Sequence, residues 1–374
     1  MLVPAGSAHP FSISPRDLSD VPPETDVRLG ANPMRTLPFL LFPWLLTASA
    51  ALLAQSPSVC PTSAVFLALP NQVRGYPTKA NGPTAPCQII HGPQTTLTTA
   101  NSVSVSINGY LHVLQFLTNG TIAVFLPEAH GNVAPNRIES VLNNDLTAET
   151  TDRKVNDFVL SSRDSDAAIS VTERATTRAE FAFIAPGISV ASALSVDKDD
   201  NLLVGGWDTA GNALVETLET STSLGAPAVV RQLTGPATGI FPADVPAFGI
   251  GYSTMSIAAD PENGELYVYT NSPQQNIQKI LVFPQGASGN VAPSRVISGP
   301  LTRIGPPSPV FTNKIAVASD GRLYVSEANE TILVFAPGAH GNVPPAQIIQ
   351  DSTIGTTPVG AAGIGVRSCT CCQP

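Results

Sequence analysis

The sequence predicts an all-β fold: a six-bladed β-propeller of four-stranded antiparallel blades, its ring closed by one blade shared between the N- and C-terminal segments. The first observation behind this is a repeated strand pair. Gly109-Tyr-Leu-His-Val113 with Thr121-Ile-Ala-Val-Phe125, Gly264-Glu-Leu-Tyr-Val268 with Lys279-Ile-Leu-Val-Phe283, and Gly321-Arg-Leu-Tyr-Val325 with Thr331-Ile-Leu-Val-Phe335 are copies of one pattern. The second is a repeated turn: Gly131-Asn-Val-Ala-Pro135, Gly289-Asn-Val-Ala-Pro293 and Gly341-Asn-Val-Pro-Pro345 follow those pairs. The third is the period. Gly341 lies 52 residues after Gly289, and Gly289 lies 158 after Gly131, close to three such steps. A period of roughly 50 residues carrying short β-branched runs between turn signals is that of propeller blades, not of helical repeats.

Two degenerate copies fill the long interval. One contains Asp200-Asn-Leu-Leu-Val204 and Gln232-Leu-Thr-Gly-Pro236, the latter parallel to Val296-Ile-Ser-Gly-Pro300; the other centres on Asp157-Phe-Val-Leu160. Upstream, Gly82-Pro-Thr-Ala-Pro86 and Gln88-Ile-Ile90 supply the sixth. Residues 63–68, 72–76 and 87–91 read as the second, third and fourth strands of a blade that lacks its first. Gly363-Ile-Gly-Val366 reads as a first strand with nothing after it, matching Lys314-Ile-Ala-Val317. One blade is therefore expected to be stitched from both ends, which leaves no terminal blade exposed.

The bulk numbers agree. Hydrophobic residues are 43% and charged residues 13% of 374, enough apolar material for a packed core. With 29 Gly and 35 Pro, turns must be numerous. A net charge of −9 and the absence of a basic run exclude a nucleic-acid partner, because phosphate binding requires a Lys/Arg surface.

Domain organisation follows. Residues 1–33 read as an upstream artefact or disordered extension. Residues 34–54 read as a signal peptide: Met34 and Arg35 precede the uncharged run Leu37–Ala54, which ends in Ala48-Ser-Ala50 or Leu52-Leu-Ala54. Pro38 and Pro43 make this run a poor membrane span, so no stable span is expected after cleavage. The propeller occupies 60–368, and 369–374 form a Cys-rich tail. The protein is expected to be exported, periplasmic or extracellular, and monomeric.

The run Ala316-Val-Ala-Ser-Asp-Gly-Arg-Leu-Tyr-Val325 resembles the core of NHL repeats, and Phe335-Ala-Pro-Gly-Ala-His-Gly-Asn-Val343 resembles a turn of secreted NHL-like propellers. The resemblance covers most of 63–367. It implies structural roles: Gly and Asp make the turn between the first two strands, Leu and Val fill the core, and Tyr packs between blades. Gluconolactonase-like and strictosidine-synthase-like enzymes are distantly similar in architecture, so the fold leaves function open.

Five cysteines are present. Cys60 and the cluster Cys369, Cys371 and Cys372 lie where the two ends should meet, and a disulfide there would lock the ring; Cys87 is then the thiol left over. The tail cluster has no accompanying His, which argues against a metal.

Channel-facing candidates are few. The inner-strand runs 102–106, 193–196, 255–258, 315–318 and 364–366 contain no carboxylate or His, a poor lining for Ca²⁺. Asn101, Ser253 and Asn313 fall at matching positions before inner strands, where they could hydrogen-bond a polar ligand or simply turn the chain. Asp197, Asp199 and Asn201 have the alternate spacing of a calcium loop but lack its later Gly and Glu, so an ordinary turn competes; Ca²⁺ is otherwise the one cofactor in view, and none is required. His130 and His340 share a repeat position that Ser288 also fills, and His112 replaces the Tyr of Tyr267 and Tyr324 in the core. The leading expectation is a binding or interaction scaffold for a protein, glycan, cell-surface or small-molecule ligand. The alternative is a lactonase-like or lyase-like hydrolytic enzyme with its site at the channel mouth. A third places recognition on a long connection spanning residues 205–254.

Overall fold

In a computed structural model, the structure describes residues 60–115, 120–141, 146–163, 166–172, 181–220, 227–243, 254–305, 313–327, 329–353 and 363–368. Residues 1–59, including the expected signal peptide, and Cys369, Cys371 and Cys372 lie outside them. Among the described residues no helix is long and apolar enough to cross a membrane.

Six sheets form the ring. The first blade takes its inner strand from the far end of the chain: β25 (Gly363–Arg367) pairs antiparallel with β1 (Ala64–Leu69), followed by β2 (Gln72–Pro77) and β4 (Gln88–His91). The second blade is β5 (Ala100–Val105), β6 (Leu111–Gln115), β7 (Thr121–Phe125) and β8 (Arg137–Ser140). The third is β9 (Leu146–Thr151), β10 (Asp157–Arg163), β11 (Asp166–Thr172) and β12 (Phe181–Ile184). The fourth is β13 (Val190–Val196), β14 (Leu202–Trp207), β15 (Ala213–Leu218) and β16 (Val229–Thr234). The fifth is β17 (Met255–Ala259), β18 (Leu266–Ser272), β19 (Ile277–Phe283) and β20 (Arg295–Ser298). The sixth is β21 (Ile315–Val317), β22 (Leu323–Ser326), β23 (Ile332–Phe335) and β24 (Gln347–Asp351), to which β3 (Gly82–Thr84) adds in parallel from the first blade. The segment 205–254 is thus not a long connection. Most of blade four is built from it, its runs Ala213–Leu218 and Val229–Thr234 pairing as third and fourth strands.

The repeated turn is an inter-blade clasp. Gly131, Gly289 and Gly341, at φ of 73°, 71° and 73°, bridge in parallel to Ile90, Leu233 and Ile297 on the outer strand of the preceding blade. The Asn that follows each Gly caps a single 3-10 turn beyond that strand: Asn132, Asn290 and Asn342 Oδ1 accept from the backbone N–H of Gln94, Ala237 and Leu301 at 2.7–2.8 Å. Within each 3-10 turn the Thr closes back on the Gly, with Thr95, Thr238 and Thr302 donating to the carbonyls of Gly92, Gly235 and Gly299. Short, conserved spelling in the repeat therefore encodes contacts between blades, not only the local turn.

Apolar packing lies between neighbouring blades. Five of the six interfaces hold clusters of ten to thirteen buried residues, built on Phe66, Phe125, Phe283, Phe335 and the strand Leu, Ile and Val residues. Between blades two and three the described apolar cluster shrinks to Leu114, Ile122, Val124 and Val159. Closure between blades one and six adds Arg74 Nη1 and Tyr76 hydroxyl, both 2.5 Å from Asp351 Oδ2.

The expected bond from Cys60 to the tail is corrected. Cys60 is bonded to Cys87, with Cα atoms 4.8 Å apart. The outer strand β4 pairs with β2, which carries Cys87 back to the start of the blade, and Gly75 leaves room for Cys60: a Cβ there would sit 3.0 Å from Cys60 Sγ and 2.7 Å from the Phe66 ring. Cys87 is accordingly not the thiol left over.

Candidate functional site

The six inner strands surround a channel. Its narrow part, about 180 Å³, is lined by Ser102, Ser104, Glu149, Ser195, Ser256 and Lys314 among aliphatic neighbours. Two of these serines are stitches between adjacent inner strands, Ser195 and Ser256 Oγ accepting from the N–H of Ala259 and Ile315, and Ser192 on the same strand as Ser195 donates to the Met255 carbonyl. Where the inner strands end, the channel widens into a bowl of about 460 Å³. All six blades contribute to it. Val105, Val196, Ala259, Val317 and Val366 make an apolar floor, and Ser106, Thr151, Arg153, Glu262, Ser319 and Ser368 supply polar groups around it. Asp152 and Asp197 also border the bowl, but both carboxylates cap turns: Asp152 accepts from Asn156, and Asp197 from Asp199, Asn201 and Arg231. Arg153 and Glu262 are the exposed charges there.

The sequence candidates fall as follows. Asn313 is buried, its Nδ2 donating to the Gly305 carbonyl at 2.9 Å and to Glu327 Oε1 at 3.4 Å. Asn101 is half-buried at the start of β5, and Ser253 lies outside the described residues. Neither Asn101 nor Asn313 lines the bowl or the narrow channel. Asp197, Asp199 and Asn201 form a turn in which Asp197 receives both N–H groups at 2.9 Å and Asn201 Nδ2 at 3.0 Å, while Asp199 holds Lys198 and Gln285. The same Asp-centred turn recurs at Asp208 with Asn212.

One expectation about the channel needs revision. The sixth inner strand, β9, was hidden in the most degenerate copy, and it places Glu149 in the channel wall. Glu149 belongs to a polar cluster between blades two and three. Ser104 Oγ donates to Glu149 Oε1. His112 Nδ1 lies 2.9 Å from Asp157 Oδ2, and Arg137 Nε donates to Glu139 Oε1 at 2.5 Å. His112, Glu139, Glu149 and Asp157 are all at most 5% exposed. Among the polar atoms without a hydrogen-bond partner are His112 Nε2, Glu139 Oε2 and Glu149 Oε2, whereas Asp157 Oδ1 lies 2.8 Å from His112 Nδ1. Burial drives their titration: it lowers His112 to about 4, lifts Glu139 to about 8 with help from neighbouring Asp157, and raises both Asp157 and Glu149. His112, Glu149 and Asp157 each place one donor atom so that all three lie within 4.8 Å of one another. The one signal that could have exposed this cluster was in the repeat itself, as departures from its own consensus.

The sequence matches no protein-family model and no curated protein. Among solved structures, the chain is similar to one described as a nidogen/laminin complex (10% identity, TM-score 0.48, covering 82% of this chain and 100% of that chain). It is also similar to a protein of unknown function from Bacteroides caccae (8% identity, TM-score 0.50, covering 81% and 98%), and to the β-propeller domain of Myceliophteria thermophila Cps50 (Swd1) (11%, 0.43, 77% and 83%). The chain is a six-bladed β-propeller. At these identities the likeness concerns the propeller fold alone.

Proposed function

We propose that this chain is an exported binding module that takes a carbohydrate in the bowl at the channel mouth. The observation that carries the reading is the bowl itself, a 460 Å³ concavity to which every blade contributes, with an aliphatic floor and a rim of hydroxyls among which Arg153 and Glu262 are the exposed charges. A sugar ring offers a C–H face for such a floor and hydroxyls that both donate and accept around it. The Cys60–Cys87 disulfide fits an oxidising compartment, and the run Leu37–Ala54 supports export through a cleaved leader, checked by the N-terminal mass of the secreted product. The NHL-like character of the repeat is part of the same reading.

The test is a glycan array probed with the mature chain, followed by titration calorimetry of any hit. Filling the bowl with Ser319→Trp should weaken binding at least tenfold while leaving the melting temperature close to wild type. Binding undiminished by Ser319→Trp, or no glycan retained at all, would refute the reading.

A further inference from the structure

The repeat provides its own internal comparison for the polar cluster, because strand pairing fixes which residues are equivalent. The position of Glu149 is Val103, Leu194, Ile257 and Ile315 in blades two, four, five and six. Asp157 stands where those blades have Leu111, Leu202, Leu266 and Leu323. Glu139 stands where other outer strands have Ile90, Leu233, Ile297 and Ile349, all buried. His112 replaces Tyr267 and Tyr324. At these four positions aliphatic or aromatic core residues have become ionisable, and all four meet at one interface, the one whose apolar cluster is smallest; a further replacement, Glu216 in blade four where other blades have Ala123, Leu281 and Leu333, stands apart from them. Unrelated losses of core residues would scatter around the ring and would each leave a costly buried polar group.

Charge and donor chemistry narrow what the cluster is for. Three carboxyl groups, those of Glu139, Glu149 and Asp157, meet one guanidinium, Arg137, and one imidazole, so acidic donors outnumber the cationic side chain that faces them. Imidazole nitrogen with two carboxylate oxygens is a donor set for Zn²⁺, Mn²⁺ or Fe²⁺ rather than for Ca²⁺, which prefers six to eight oxygens. Fully buried Glu149 Oε2 and His112 Nε2 lack partners, and Glu149 also lines the channel, so the interior of the cluster meets the solvent path. We infer that His112, Glu149 and Asp157 form a binding site for one divalent transition-metal ion between blades two and three, with Arg137 and Glu139 holding Asp157 from behind. Three protein donors leave room for a water or small anion on the ion, as in sites that keep an open position.

The experiment uses the full mature chain carrying Cys369→Ser, Cys371→Ser and Cys372→Ser, which removes the other candidate ligands. After treatment with chelator and its removal, Zn²⁺, Mn²⁺ and Co²⁺ are titrated separately, with metal content per chain measured by mass spectrometry. Expected is one ion per chain with micromolar or tighter affinity, a rise in melting temperature, and a Co²⁺ spectrum without thiolate charge transfer. The double variant Glu149→Val, Asp157→Leu installs the residues used by the other blades, so it should remain folded by circular dichroism and lose the ion. His112→Tyr should weaken affinity at least tenfold by the same logic. No stoichiometric uptake of any of the three metals, or uptake unchanged in a folded double variant, overturns the inference.

Discussion

At the scale of the residue, the informative side chains are those whose surroundings do not match their type. Lys314 lines the narrow channel, makes no ion pair among the described residues, and is held by burial at about 8 instead of its ordinary 10.5. The folded chain therefore binds fewer protons than the unfolded chain between those two values, and stability should rise with pH across that window; below about 8 both states carry the charge and the contribution is constant. Lys314→Met should be more stable than wild type at pH 7 by about 1 kcal/mol, a figure discounted because the amine keeps contact with the channel space. Denaturant midpoints of the two proteins at pH 7, 9 and 10 check this, and the gap should close as pH rises. His112 shows the limits of a residue read alone. Its place in a strand marked it as core, and it is fully buried, yet its function depends on Asp157 and Glu149, which are 45 and 37 residues away in sequence.

At the scale of the element, the unit that repeats is strand, clasp and 3-10 turn. The Gly-Asn-Val turn was legible as a repeat because Gly must adopt positive φ and Asn must cap, and the Gly-Pro of the preceding blade was legible too, but that the two clasp each other shows only once the ring is assembled. Asn342→Ala removes the acceptor for the Leu301 N–H and should cost about 1–2 kcal/mol. Gly299→Ala should cost more, because φ is 119° there and a Cβ would meet Asn342 Oδ1 at 2.5 Å. Urea midpoints of both single variants and the double should show coupling: once Asn342 is removed, the Gly299 substitution loses part of its penalty. The Asp-centred turns follow the same economy, since Asp197 with Asn201 and Asp208 with Asn212 use one carboxylate to tie a whole tight turn.

At the scale of the whole molecule, the ring stands or falls by its closure. β25 completes the first blade, and the Arg367 guanidinium, which donates to the Pro61 and Pro127 carbonyls, fastens it to the neighbouring turns. A chain ending at residue 353 would leave β1 without its inner partner and should lose its cooperative melt. Asp351→Ala removes the acceptor that Arg74 and Tyr76 share at the joint, leaving Arg74 only its bond to the Thr353 hydroxyl, and should cost about 2–4 kcal/mol, read from thermal melts. Reduction of Cys60–Cys87 releases a loop spanning 27 residues and should cost roughly 3.5 kcal/mol on the chain-entropy argument. A reduced chain that melts at the oxidised temperature would assign the bond no such role.

By itself the sequence determined the number of blades, their four-stranded make-up and the shared closing blade, because turn spelling and strand pattern are local, recur in three clear copies, and the spacing between those copies counts the degenerate ones. It also marked the uncharged run Leu37–Ala54. Only the tertiary structure decided the disulfide, since Cys60 reaches Cys87 by the return of β4 along β2, and only it recovered β9, whose Leu-Thr-Ala-Glu-Thr-Thr spelling carries little of the repeat. The bowl and the His112, Glu149 and Asp157 cluster were out of reach for the same physical reason. Each is assembled from strands of different blades, and what brings those residues within hydrogen-bonding distance is the packing of sheets, which no spacing along the chain records.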